Sequence, residues 1–225
     1  MRKEKGIKGV ALCPLFIPPI LKGDFFMSAK KFNSQKIRFI TVTGILGAVA
    51  AVLMMFSFSV PFMPSFIKLD FSELPALIAA FSMGPVSGVA VCLIKNLVNL
   101  TMTTTGGVGE FSNFLLGACL VLPAGIIYKY HKNRKAALLS ALLGSLTMAA
   151  VSLPINYFIT YPMYSKFMPI DVIIGKYEAI FSGVNGLFSC LLIFNVPFTF
   201  LKGALVTLIT FLIYKYISPI IKGKK

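Results

Sequence analysis

Long apolar segments separated by clusters of lysine and arginine constrain this chain more than any other feature. An α-helix rises 1.5 Å per residue, so about 20 apolar residues cross the roughly 30 Å hydrocarbon core of a bilayer. Segments of this kind lie near 36–58, 72–84, 86–103, 109–130, 136–161 and 194–217. With 57% hydrophobic and only 13% charged residues, the chain is predicted to be an all-α membrane protein of six transmembrane helices.

The positions of the basic residues predict the orientation of the chain. Most of the 22 Lys and Arg lie in three places: before residue 39, within 129–135, and from residue 215 onward. Cytoplasmic flanks of membrane helices are enriched in these residues, so both termini are predicted to be cytoplasmic. The net charge of +15 does not indicate nucleic-acid binding, because the cations lie between apolar segments and not along one face with aromatic residues.

At two apolar segments the sequence leaves open whether the chain crosses the membrane. The segment 72–84 is short for a crossing, whereas 179–192 is apolar enough to compete as one. Merging 72–103 into one helix, or adding a crossing at 179–192, would move a basic cluster to the outer face. We therefore predict a separate helix at 72–84, and an outer loop at 179–192 that folds back over the bundle.

The domain organisation follows from these boundaries. A basic cytoplasmic tail at 1–35 precedes a six-helix membrane domain at 36–218, and a short basic tail at 219–225 follows it. Within the first tail, an apolar run with a basic flank is interrupted by prolines, unlike a signal peptide. Met27 is an alternative start.

Several classes of function lack their sequence signatures. There is no GxxxxGK[ST] phosphate loop, because Gly175-Lys176 is not followed by Ser or Thr. The single histidine, His131, lies in a basic turn, and the four cysteines are scattered without CxxC spacing. We therefore predict no catalytic residues, no metal site and no cofactor, and expect that the chain is not an enzyme.

Polar residues collect at the predicted outer end of the bundle, where each costs several kcal/mol unless it finds a partner. Asp70 and Glu110 lie where they could cap or begin a helix, or contact a ligand. Asn156 and Lys202 lie inside apolar segments; interhelical hydrogen bonding is the alternative for Asn156. For Lys95 we predict a structural ion pair with an acid of the outer rim. Tyr157, Tyr161 and Tyr164 are predicted first as interfacial anchors.

Five motifs in one order give the chain a family resemblance. They are FIKLDFSELPALI at 66–78, KN at 95–96, GVGEFSNF at 107–114, NYF at 156–158 and PFTFLKG at 197–203. From about residue 36 to 218 the chain resembles the riboflavin-specific S component, the substrate-binding membrane subunit, of energy-coupling-factor (ECF) transporters. The resemblance implies capture of riboflavin at the outer face of a bacterial plasma membrane. It also implies partnership with one transmembrane coupling subunit and two cytoplasmic ATPases.

The resemblance also implies a set of ligand contacts. By motif position these fall on Asn156, Thr199 and Lys202, with the loop before Asp70 closing the pocket. Where this chain has Thr199 the family usually has Asn, so either a water or Asn195, one turn earlier, is expected to replace that contact. The wider predicted binding set is completed by Leu69, Glu73, Glu110, Asn113 and Tyr157.

A flavin suits such a rim chemically. It presents flat apolar faces and an edge of carbonyl oxygens and a ring N–H, which an Asn amide can both donate to and accept from. Other neutral vitamins would fit almost as well, so an S component for another vitamin is one alternative. A self-sufficient ion-coupled carrier is the other.

Small residues on the first helix predict where a partner helix docks. Gly44 with Ala48, and Gly47 with Ala51, are each spaced four residues apart, which lets helix backbones approach closely. Packing inside the bundle is the alternative use of these residues.

Overall fold

The computed structural model describes residues 34–222, except 62, 65, 66, 104, 105, 167, 168, 182, 184 and 185. The N-terminal tail therefore lies almost entirely outside the described residues, and so does the alternative start at Met27. The predicted boundaries of the three parts of the chain stay predictions.

Helices make up most of the described chain, as the apolar segments predicted. In order they are α1 (Ser34–Met55), α2 (Glu73–Met83), α3 (Pro85–Asn99), α4 (Val108–Tyr130), α5 (Arg134–Ile155), α6 (Tyr161–Tyr164), α7 (Ile170–Glu178), α8 (Leu187–Cys190) and α9 (Val196–Lys222). Between α1 and α2, strands β1 (Phe58–Ser59) and β2 (Lys68–Leu69) pair antiparallel. Within the described residues, five helical rods are long and apolar enough to cross a membrane.

Two of these rods contain a π-helical turn. Asn156–Thr160 joins α5 to α6, and Leu191–Asn195 joins α8 to α9. Each turn ends two residues before a proline, Pro162 or Pro197. Because proline has no N–H, the carbonyl four residues earlier loses its α-helical donor, which favours a locally widened turn. Such turns displace side chains from the regular helical spacing, and they are frequent at functional sites.

Helix α2 is the exception among the predicted crossings. Its 11 residues span only about 17 Å, and eight of them are buried. It packs against α1, α3, α4 and α9 as a core helix. Gly84, with φ of 106°, ends α2, and Pro85 begins α3, so the predicted separation of the two helices is confirmed. The sixth crossing stays a prediction.

The start of the last rod differs from the prediction. The segment 179–192 was expected to be an outer loop, but helix begins at Leu187 and continues through Asn195 into α9. The N-cap, Gly186, has a φ of 86°, which favours glycine. Charge parity excluded an additional crossing here, but it could not exclude a longer rod on the outer side.

Helix α5 packs closely between α4 and α9. A Cβ on Gly144 would lie 2.3 Å from the Leu120 carbonyl oxygen, so only glycine fits at that position. On the other side, the hydroxyls of Ser145 and Thr207 are 3.2 Å apart. This packing brings the end of α5 beside the beginning of α9, where the predicted polar residues lie.

The two pairs of small residues on α1 have different surroundings. A Cβ on Gly47 would lie 2.8 Å from Ile94 Cγ2, and Ala51 is 4% exposed, so this pair packs against α3 inside the bundle. A Cβ on Gly44 would meet nothing within 4 Å, and Ala48 is exposed. Of the predicted docking residues, only Gly44 and Ala48 are left for an external partner.

Candidate functional site

A cavity of about 570 Å³ lies at one end of the bundle. Its wall comes from the end of α1, the segment before α2, the beginning of α4, the end of α5 with its π turn, and the beginning of α9. Pockets for small organic ligands commonly measure about 300–1,000 Å³. Seven of the ten predicted binding residues line it: Asp70, Glu110, Asn113, Asn156, Asn195, Thr199 and Lys202.

Three polar side chains reach the cavity from the π turns and the first turn of α9. Asn156 is the first residue of one π turn and Asn195 the last residue of the other, and each is 7% exposed. Thr199 lies one turn after Asn195 on the same rod and also lines the wall. For Asn195 to replace a contact of Thr199, both side chains must line the same cavity, and they do.

A buried network of charges lies at the wall beside these residues. Lys202 Nζ is 2.9 Å from Asp70 Oδ2 and 3.4 Å from Glu73 Oε2. Lys95 Nζ is 2.8 Å from Glu73 Oε1, and both side chains are almost completely buried. The predicted ion pair of Lys95 with an acidic residue is confirmed, and the acid is Glu73; its place at the outer rim stays a prediction. Two ammonium groups face two carboxylates, so the network is neutral.

Asp70 lines the cavity and also joins the start of α2 to α9. Its Oδ1 accepts a hydrogen bond of 2.9 Å from the Ser72 N–H at the start of α2, and its other oxygen pairs with Lys202. Burial alone would raise the pKa of the Asp70 carboxyl, but the ammonium groups of Lys202 and Lys95, with a hydrogen bond from the Ser72 hydroxyl, hold that pKa well below its usual range. The carboxylate therefore stays ionised in mild acid.

Three of the predicted binding residues do not contact this cavity. Leu69 is buried in the hairpin beside it, and Glu73 lies behind Lys202, fully buried. Tyr157 faces a separate groove, where its ring is 6.1 Å from that of Phe188. Glu73 therefore acts on the cavity indirectly, through Lys202 and through the Ser72 hydroxyl, which contacts both Glu73 and Asp70.

Glu110 combines a place in the wall with a local hydrogen bond. Thr103 donates to its Oε2 over 2.9 Å, and the Gly107 N–H donates to the same Thr103 hydroxyl over 3.1 Å. Gly107, the N-cap of α4, has a φ of 87°. The loop and the first turn of α4 thereby hold the Glu110 carboxylate beside the cavity.

Sequence reasoning missed part of the wall. Met54, Met148, Thr160 and Tyr161 also line it. Tyr161 is 3% exposed, so its prediction as an interfacial anchor is wrong. Methionines and a hydroxyl within apolar segments give no local signal, whereas the nearby Pro162 and Asn156 could have marked a widened turn.

Comparisons with known proteins agree on one family. A family model described as "ECF transporter, substrate-specific component" matches residues 38–214. The Staphylococcus aureus (strain TCH60) riboflavin transporter RibU is 32% identical over 193 residues, 86% of this chain and 97% of that protein. The Bacillus subtilis (strain 168) riboflavin transporter FmnP is 29% identical over 196 residues, 85% and 97% of the two chains.

A solved structure is similar to the fold over most of its length. It is described as "Structure and mechanism of the S component of a bacterial ECF transporter", with a TM-score of 0.66 and 30% identity. The match covers 83% of this chain and 99% of that one. Together with the bacterial relatives, the five apolar rods identify a multi-pass protein of the bacterial plasma membrane. Because the family model spans all five rods, the chain belongs to the family of substrate-specific components of ECF transporters.

Proposed function

We propose that this chain captures riboflavin in the cavity at the outer face of the membrane and delivers it inward as the S component of an ATP-driven importer. The observation that carries the proposal is the convergence of Asn156, Asn195 and Lys202 on one cavity of ligand size. The relatives named as riboflavin transporters support the identity of the ligand. ATP hydrolysis is assigned to separate cytoplasmic subunits, coupled through a transmembrane partner.

The proposed orientation is supported by the ends of the helices that form the cavity. Since α1 and α5 end there while α4 and α9 begin there, the basic beginning of α1 and the turn between α4 and α5 lie at the opposite end. The hydroxyls of Tyr128 and Tyr214, 3.4 Å apart, join α4 to α9 at that end. Basic residues mark the cytoplasmic side, so the cavity faces outward and both termini face the cytoplasm.

The ligand contacts are assigned by chemistry. Asn156 and Asn195 amides can donate to carbonyl oxygens and accept from the ring N–H of a flavin edge. Glu110 and Asn113 also line the cavity, and they suit the hydroxyls of the ribityl chain. Since the charges around Lys202 are already balanced, the cavity favours a neutral flavin over a phosphorylated one.

Purified protein is expected to be yellow and to bind riboflavin at one site per chain. The neutral network predicts affinity for riboflavin at least about tenfold above that for the phosphorylated flavin, a difference of about 1.4 kcal/mol. Titration of ligand-free protein with each flavin, followed by flavin fluorescence, measures both constants. Colourless protein that ignores riboflavin would point to another vitamin. Uptake by this chain alone in ATP-free vesicles would favour an ion-coupled carrier.

Docking of the coupling subunit is proposed on the exposed face of α1 around Gly44 and Ala48. Ala48→Leu is expected to abolish co-purification with a co-expressed coupling module, because the larger side chain keeps the partner helix away. Riboflavin binding should be unchanged, since Ala48 is outside the cavity wall. Ala150→Leu, the same change at an exposed position of α5, is the control. Assembly that survives Ala48→Leu, or riboflavin binding lost with it, would contradict docking at this face.

A further inference from the structure

Three polar side chains form a closed ring beside the cavity. The Tyr177 hydroxyl is 2.8 Å from Asn195 Oδ1 and 2.6 Å from the Tyr161 hydroxyl. Asn195 Nδ2 donates to the Tyr161 hydroxyl over 3.3 Å. Tyr177 is fully buried, and the other two are below 10% exposed. Two of the three, Tyr161 and Asn195, also line the cavity, whereas Tyr177 does not.

The Asn195 amide sets the direction of the ring, because its Nδ2 can only donate and its Oδ1 can only accept. Nδ2 donates to the Tyr161 hydroxyl, Tyr161 donates to the Tyr177 hydroxyl and Tyr177 donates to Oδ1, so each group donates one hydrogen bond and accepts one, and successive bonds polarise one another. An amide held at both its oxygen and its nitrogen cannot turn to another rotamer without leaving buried polar groups unpaired. The second N–H of the amide is left for a ligand.

Helix α7 packs against the last rod through a buried apolar cluster. Ile173 and Tyr177, from adjacent turns of α7, pack with Cys190 and Leu191 of the last rod in a buried apolar cluster. Ile67, which lines the cavity from the segment before α2, packs against the same cluster. The outer helix α7 therefore lies behind two parts of the cavity wall.

We propose that Tyr177 is a positioning residue that holds the Asn195 amide in the rotamer used for ligand binding, an inference that rests on the proposed function. Tyr177 acts from behind the wall and does not touch the ligand. The Tyr177 hydroxyl, which α7 supplies, orients the Asn195 amide for hydrogen bonding to the polar edge of a flavin.

A double-mutant cycle between Tyr177→Phe and Asn195→Ala tests this role. Tyr177→Phe removes one oxygen and is expected to raise the Kd for riboflavin about tenfold. In the Asn195→Ala background the same change should alter the Kd by less than about twofold, because the group it positions is gone. Tyr130→Phe, at a position 77% exposed near the other end of α4, is the control and should leave the Kd unchanged. An equal loss in both backgrounds would overturn the proposal, since it would show a general loosening of α7.

NMR gives a second measurement. In ligand-free protein labelled with 15N-asparagine, it records the side-chain amide resonances of Asn195. Tyr177→Phe should shift them, while Tyr130→Phe should not. If wild-type protein ignores riboflavin but the resonances shift, the proposed function fails while the positioning contact stands; no shift overturns the contact itself. Tyr161→Phe opens the same ring and replaces Tyr177→Phe if that variant does not fold.

Discussion

Lys202→Ala is expected to raise the Kd for riboflavin at least about tenfold, which corresponds to about 1.4 kcal/mol. The ammonium group lies in the cavity wall, 7% exposed, and also holds Asp70 beside the cavity. Its removal takes away the ammonium group proposed to donate to the flavin and leaves a buried carboxylate short of a partner. Because Asp70 begins the turn into α2, the segment before α2, which lines the cavity, also loses this ion pair with α9.

Flavin titration of the purified variant measures the effect. Lys166→Ala removes the same charge from an exposed turn after α6 and should leave the Kd unchanged. Asp70→Asn keeps the shape of the acid but weakens the pair, so it should reproduce part of the loss. A Kd for Lys202→Ala equal to that of the wild type would remove Lys202 from the site.

The helices could be predicted from the sequence because a bilayer imposes one length and one polarity on each crossing. The same rule does not fix where a helix begins, and this is why the part of the last rod from Leu187 to Leu192 was expected to be a loop. It also says little of α2, whose burial among four helices replaces contact with lipid.

The candidate site could be predicted where a polar residue lies in an apolar segment, because burying it without a partner is unfavourable. Asn156 and Lys202 stand out because a polar group in an apolar segment must find a partner. The partners were not predictable: Lys202 and Asp70 are separated by 132 positions, and only the packing of α2 on α9 brings them together. Tyr177 gave no signal, because a tyrosine in an outer segment is ordinary.

Lys95→Met is expected to be the most destabilising change in the network, by about 3–5 kcal/mol. Lys95 is completely buried on α3 and its nearest acidic partner is Glu73, at 2.8 Å. Without it, the partners left to Glu73 among the described residues are the more distant Lys202, at 3.4 Å, and the Ser72 hydroxyl, at 3.3 Å. Thermal unfolding in detergent should show a midpoint lowered by on the order of 10 °C. Lys132→Met, in the exposed turn between α4 and α5, should leave it unchanged.

The double variant Lys95→Met with Glu73→Leu separates an unpaired charge from lost packing. Replacing both members of a buried pair by apolar groups is often neutral, so most of the lost stability should return. Lys202 would still pair with Asp70, and riboflavin affinity should fall less than in Lys202→Ala, since neither Lys95 nor Glu73 lines the cavity. Within one network, we therefore expect Lys95 to affect mainly stability and Lys202 to affect mainly riboflavin binding. A double variant as unstable as Lys95→Met alone would show that the ion pair is not the source of the stability.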